Sequence, residues 1–202
     1  MRDNNIDRIR EAAILATIFM EGGDTVVNDC HDKGGTTKYG ISQAAYPELK
    51  IEAITLKDAI AIYTGDYWNK CRCDEMPGLM AILTFDLAVT SGARRGITVL
   101  QQTEVTLVPG LPKNFVDGLV GTRPVSNTLN RAWEMCSDFT HETRAAVEYT
   151  EKRMDFYRGL KNAYYEKGWL NRAMRCLGYA MGIVHDPQGM IDYFTHGAAR
   201  CN

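Results

Sequence analysis

The sequence has no run of 18 apolar residues, which excludes a transmembrane helix. It has little excess charge: Lys+Arg number 23 and Asp+Glu 25, for a formal net charge of −2. The whole-chain basic footprint of a DNA-binding protein is therefore missing. Six cysteines in 202 residues are too sparse for a disulfide scaffold. There is no phosphate loop, dinucleotide fingerprint or G-x-S-x-G, and composition excludes collagen, coiled coil and disorder. What is present is ordinary for a globular protein: 45% hydrophobic and 24% charged residues, in a chain long enough for one large domain or two small ones.

Residues Ala12 to Met20 form an apolar run behind Arg8 and Arg10, which imitates an export signal. Asp3, Asp7 and Glu11 spoil the basic flank, and no small-x-small cleavage site follows. Ile6, Ile9, Ala13, Ala16 and Met20 share one helical stripe, so the segment reads as an amphipathic core helix. Asn4 or Asn5 caps its start, and Gly22-Gly23 ends it, because glycine suits the left-handed position after a helix. Without an export signal the protein is expected in the cytosol, its cysteines as thiols; another factor must then release it to act beyond the membrane.

Residues 22–41 are rich in Gly, Asp, Asn and Thr and predict a loop or short β-hairpin. Thr55 and Asp58 form a capping box for a helix through about Tyr67. Pro77 opens another helix, which carries Leu79, Leu83 and Leu87 and stops near Ser91-Gly92. Residues 93–104 read as helical. The break Val108-Pro-Gly-Leu-Pro112 is the best domain boundary, dividing the chain into 1–107 and 108–202. Asp117-Gly118 and Gly121 mark turns, and helices are expected over 125–136, 140–160 and 168–181. The tail 185–202 carries no assignment. The fold class is mainly α, with any β confined to 22–41.

The chemistry concentrates at Glu21. A helix C-terminus carries partial negative charge, and the neighbours Phe19 and Met20 add an apolar surface. Both favour a protonated carboxyl, the form a general acid for glycosidic cleavage needs. Taken alone, Glu21 reads better as a solvated residue ending a helix, because most glutamates are solvated.

The residues that follow add to this. The segment runs Glu21-Gly-Gly…Asn28-Asp29-Cys30-His31-Asp32-Lys-Gly34-Gly35-Thr36-Thr37-Lys-Tyr39-Gly40-Ile41. Further on stand Ile62-Tyr63…Tyr67-Trp68, Phe85-Asp86-Leu-Ala-Val-Thr90-Ser-Gly92, Leu100-Gln101, Asp117-Gly-Leu-Val-Gly121…Thr128-Leu129, and Arg153…Tyr157…Gly168-Trp169-Leu-Asn-Arg172. In this order they resemble glycoside hydrolase family 108, the phage and bacterial N-acetylmuramidases, over roughly residues 10 to 175. The resemblance implies a lysozyme-like catalytic region, 1–107. It also implies a helical C-terminal region, 108–202, of the kind assigned to peptidoglycan binding. The implied reaction is hydrolysis of the β-1,4 bond between N-acetylmuramic acid and N-acetylglucosamine, without cofactor or metal.

In that reading Glu21 protonates the leaving oxygen and a second group serves the oxocarbenium-like transition state or activates water. The register set by the trailing Gly-Gly-x-Thr-x-x-Gly-Ile favours Asp32 as that group, with Thr37 positioning the water through its hydroxyl. The chain departs from the pattern by two extra residues between Gly23 and Asn28, and by Cys30 where the family has proline. The spacing of a different phage lysozyme family, Glu, eight residues, Asp or Cys, five residues, Thr, instead selects Cys30 and Thr36. Asp29 is a third candidate, although Asn28-Asp29 also suits a turn.

Tyr39, Tyr67 and Trp68 are the expected sugar-stacking residues, since aromatic faces suit the apolar faces of sugars. Tyr63 fits core and cleft equally. Asp86, in an apolar helix, reads first as a hydrogen-bonded structural residue, and Thr90 stands where the family has asparagine. Cys30-His31, Cys71, Cys73, Cys136, Cys176 and Cys201 have no metal-site spacing. Seven cations (Lys152, Arg153, Arg158, Lys161, Lys167, Arg172, Arg175) face two acids (Asp155, Glu166) over 152–175. They suit either a solvated helix face or attraction to an anionic wall, and the family pattern also allows Arg153 and Arg172 structural roles. The function expected is that of a monomeric phage endolysin, held in the host cytoplasm until a holin opens the membrane. A lytic transglycosylase, or a non-catalytic wall-binding or secretion-helper protein, is the alternative.

Overall fold

The computed structural model describes residues 3–28, 35–120 and 128–197. Asp29, Cys30, His31, Asp32, Lys33 and Gly34 lie outside them, as does Gly121. Eight helices make up most of the described chain: α1 (Asp3–Met20), α2 (Leu56–Tyr63), α3 (Gly78–Ser91), α4 (Ala93–Leu107), α5 (Thr128–Met135), α6 (Phe139–Gly159), α7 (Ala163–His185) and α8 (Pro187–Asp192). The mainly α, lysozyme-like expectation holds. The β structure is one small antiparallel sheet, β1 (Val27–Asn28), β2 (Thr36–Lys38) and β3 (Ile41–Ser42), within or next to the predicted 22–41 segment. Among the described residues no helix is long and apolar enough to cross a membrane.

Two helices form the centre. Helix α1 is not amphipathic along its second half: every residue from Ala12 to Ile18 is buried. In α3 every residue from Leu79 to Ala88 is buried. A helix that is apolar all round must be surrounded, and these two are packed on by α6, α7 and α8. Ala145, Ala146, Tyr149, Ala173, Cys176, Ala180 and Ile183 join the same buried cluster as Ile14 and Leu83. The break at 108–112 thus separates helices, while the hydrophobic core runs through both halves of the chain.

Local rules account for several ends. Thr55 and Asp58 form the expected capping box at α2: the Asp58 amide donates to the Thr55 hydroxyl and the Thr55 amide to the Asp58 carboxylate. Helix α7 starts at Ala163, five residues before the expected start. Asn162 caps it by accepting from the Tyr165 amide, and the helix carries Gly168 in its interior. The unassigned tail forms α8, which opens on Pro187 and packs against α1; Asp186 caps it.

Candidate active site

Helix α1 ends as its glycines require. Gly22 (φ 97°) and Gly23 (φ 66°) take left-handed conformations, and the Gly23 amide donates back to the Ile18 carbonyl at 3.0 Å. Glu21 therefore sits on the last turn, half-buried. The hairpin is tied to this corner at two points. The Tyr39 amide donates to the Gly23 carbonyl at 3.0 Å, and the Tyr63 hydroxyl donates to the Tyr39 carbonyl at 2.9 Å.

Tyr39 (φ 55°) and Gly40 (φ 74°) are the two residues between β2 and β3. Two consecutive positive φ angles identify a type I′ hairpin turn, whose twist matches that of its strands. Gly40 is demanded for a second reason. A Cβ there would lie 2.8 Å from the Cβ of Glu21 and 2.6 Å from the Tyr63 hydroxyl. The turn thus rests directly on the Glu21 side chain.

Glu21 lines a cavity of about 430 Å³ together with Gly40, Ser42, Tyr46, Tyr63, Tyr67, Thr90, Tyr157, Trp169 and Arg172. Its walls come from both ends of the chain. Tyr46 donates to Asp66 at 2.7 Å. Tyr63 and Tyr67 lie with ring centres 5.8 Å apart, and Tyr157 stacks on Trp169 at 5.6 Å.

A charge network backs the cavity. Arg172, on α7, donates through Nη1 to Glu21 Oε1, through Nη2 to Asp86 Oδ1 at 2.8 Å, and through Nε to Asp86 Oδ2 at 3.4 Å. Arg153 Nη2 lies 2.7 Å from Asp86 Oδ2, with both side chains 1% exposed. Burial alone would push the Asp86 carboxyl up, but the Arg153 and Arg172 guanidiniums reverse this and hold it down at about 2. Arg153 Nε also donates to the Tyr157 hydroxyl at 3.0 Å, which lies 3.4 Å from the Thr90 hydroxyl. Asp86 is thus a buried anchor with no access to the cavity, and Arg172 links it to Glu21.

The expected site residues divide accordingly. Glu21 and Tyr67 are on the cavity wall. Trp68 is not: it is fully buried, meets Phe85 edge-on and donates to Asp74 at 2.7 Å. Its expected stacking role is corrected to a core role. Tyr67 and Trp68 are consecutive on the helical turn Thr64–Trp68, so their side chains take different faces, and that of Trp68 is the core face. Tyr39 occupies the turn beneath Lys38 Nζ, outside the cavity lining. Thr36 and Thr37 lie in β2, opposite Asn28 and Val27 respectively, and neither lines the cavity. Asp29, Cys30 and Asp32 lie outside the described residues.

The surroundings expected for Glu21 also change. Phe19 is 40% exposed and packs on Tyr179, Tyr193 and Phe194 rather than over the carboxylate. The group on the carboxylate is Arg172. The Gly-Trp-x-x-Arg segment carried the signal for it, but nothing local tied it to Glu21, 151 positions away. The solvated-face reading of 152–175 fails at Arg153 and Arg172 for the same reason.

Residues 14–92 match the model of a family described as Glycosyl hydrolase 108. The matched stretch contains Glu21, the Tyr39-Gly40 turn, Tyr63, Tyr67 and Asp86, while Arg153, Tyr157, Trp169 and Arg172 follow it. No curated protein sequence matches the chain. The structure of Brucella abortus SagA is similar over 84% of this chain and 92% of that chain, with a TM-score of 0.65 and 28% identity. The part of the protein that supplies Glu21 is thus similar to glycosyl hydrolase 108, and the chain as a whole is similar in fold and in part in sequence to SagA.

Proposed function

We propose that the protein hydrolyses peptidoglycan at the β-1,4 bond between N-acetylmuramic acid and N-acetylglucosamine, with Glu21 as the acid. The observation that carries this is the setting of Glu21. Among the described residues it is the sole carboxylate on the wall of an aromatic-lined cavity, and that cavity is large enough to enclose part of a sugar chain. Protonated Glu21 gives its proton to the glycosidic oxygen as the anomeric C–O bond breaks. Arg172, which Asp86 holds in place, already hydrogen-bonds Glu21 and stabilises the carboxylate left when the proton is given up. A water molecule then adds to the oxocarbenium-like carbon and its proton leaves.

We assign activation of that water to Asp32, with Thr37 positioning it; Asp29, Cys30 and Thr36 are the alternatives. This choice rests on the sequence register. Replacing Asp32 by Asn is expected to cost far more activity than replacing Cys30 by Ala, and the reverse ranking selects the other register. From the same resemblance we place the protein as a monomeric phage endolysin that reaches the wall after a holin opens the membrane. The check is lysis on expression with a holin and none without it.

The test of the reaction is mass spectrometry of muropeptides released from purified peptidoglycan after borohydride reduction. Reduced N-acetylmuramic acid ends are expected. Anhydro-muramic ends would establish a lytic transglycosylase instead, and no product would point to a wall-binding or secretion-helper protein.

A further inference from the structure

The cavity at Glu21 has a neighbour across Trp169. Trp169 and Arg172 also form the wall of a second hollow of about 330 Å³, completed by Met20, Gly168, Asn171 and Arg175. Arg175 in turn lines a third hollow, about 480 Å³, with Gly178, Tyr179, Gly182, Met190 and Tyr193. The three share walls at successive turns of α7, so the face carrying residues 169, 172, 175 and 179 leads away from Glu21. Its far end is apolar: Phe19, Tyr179, Tyr193 and Phe194 pack ring on ring there, with Phe19 and Tyr193 exposed.

Arg175 stands where the polar hollow meets the apolar one. Within the basic stretch, Lys152 pairs with Glu148, Arg158 with Asp155, Arg153 with Asp86, and Arg172 with Asp86 and Glu21. Arg175 is exposed and has no carboxylate partner among the described residues. An unpaired guanidinium beside an aromatic trough fits a ligand with a carboxylate and small apolar groups. In peptidoglycan that ligand is the stem peptide, an acidic, alanine-containing peptide amide-linked to the lactyl group of the muramic acid at the bond to be cut.

We propose that Arg175 and the trough beyond it bind the acidic stem peptide, so that the protein selects peptide-bearing glycan over bare glycan. This rests on the reading of Glu21 as the acid of a peptidoglycan hydrolase. It extends that reading from the sugar to the peptide. The preference is electrostatic at Arg175 and falls as salt is raised.

The experiment compares kcat/KM on soluble, uncross-linked glycan strands with that on the same strands stripped of peptide by an amidase. Wild type is expected to favour the peptide-bearing strands. In Arg175→Ala the ratio of the two values is expected to fall about fivefold, the scale of one partly exposed ion pair. Arg175→Glu is expected to fall further, and Arg175→Lys to keep part of the preference. Equal rates of wild type on both strands, or an unchanged ratio in Arg175→Ala and Arg175→Glu, would overturn the proposal while leaving the hydrolase reading intact. Cleavage of neither strand would defeat the hydrolase reading itself.

Discussion

Arg172 grips two carboxylates at once, the half-buried Glu21 and the fully buried Asp86, which lies 2.8 Å from its Nη2. Burying charges is costly, and the cost is recovered only while each has its partner. Arg172→Leu therefore leaves Asp86 with Arg153 alone and frees the Glu21 side chain. Unfolding in denaturant should show a loss of about 3 kcal/mol, at the low end for breaking a buried pair because Arg153 remains. Activity should fall in parallel. A variant as stable as wild type would mean that the network is not part of the folded core.

The same anchor sets an acid limit. The Asp86 carboxyl is held at about 2, below the ordinary 3.8. A carboxyl depressed on folding adds stability that is fully present above about pH 4. That stability is lost as the pH falls through 4 towards 2, an effect of about 2 kcal/mol. Thermal unfolding from pH 5 down to pH 2 should show the fall, and Arg172→Leu should reduce its slope.

Glu104 titrates in the opposite sense. Both of its oxygens are buried without a hydrogen-bond partner, and burial pushes the carboxyl up to about 9 against the opposing pull of Arg131. A carboxyl raised on folding leaves stability intact below its unfolded value of 4.5. Stability then drains as the pH rises from there towards 9, because only the unfolded chain ionises. Glu104→Gln removes that drain and should be more stable than wild type at pH 8 by at least about 1 kcal/mol, the gap closing towards pH 5. An equal gap at both pH values would show that Glu104 does not titrate this way.

Gly40 offers a test of the corner that holds Glu21. Alanine there meets both a left-handed backbone and the Glu21 side chain, whereas alanine at Gly35 (φ 67°) meets the backbone term with its nearest neighbour at a comfortable 3.6 Å. Gly35→Ala should cost about 1 kcal/mol. Gly40→Ala should cost distinctly more and should also lower kcat. Equal effects on stability with activity retained would show that the turn does not position Glu21.

The parts of this arrangement written in neighbouring residues were readable. Gly22-Gly23 ending α1 behind Glu21, the Thr55–Asp58 box, and the hairpin before Gly40 follow from backbone conformation and caps that act within a few positions. The parts assembled across the chain were not. Arg172 and Glu21 meet over 151 positions, and a run of like charges looks the same whether its members face water or a buried Asp86. Trp68 is in the core because consecutive residues on a helical turn point to different faces, so a Tyr-Trp pair cannot present both rings to one cleft. Helix α1 read as amphipathic because its stripe does not reveal that α8, from the far end of the chain, covers another side.

The central claim is that Glu21 is the acid. Glu21→Gln keeps the size and much of the hydrogen bonding of the side chain, including an oxygen for Arg172 to donate to, but cannot give a proton at neutral pH. The direct measurement is release of reducing ends from purified sacculi by wild type and Glu21→Gln, with the fold of each checked by circular dichroism. The account predicts an unchanged fold and a loss of at least about a hundredfold in rate. A folded Glu21→Gln that still clears sacculi at the wild-type rate would contradict it.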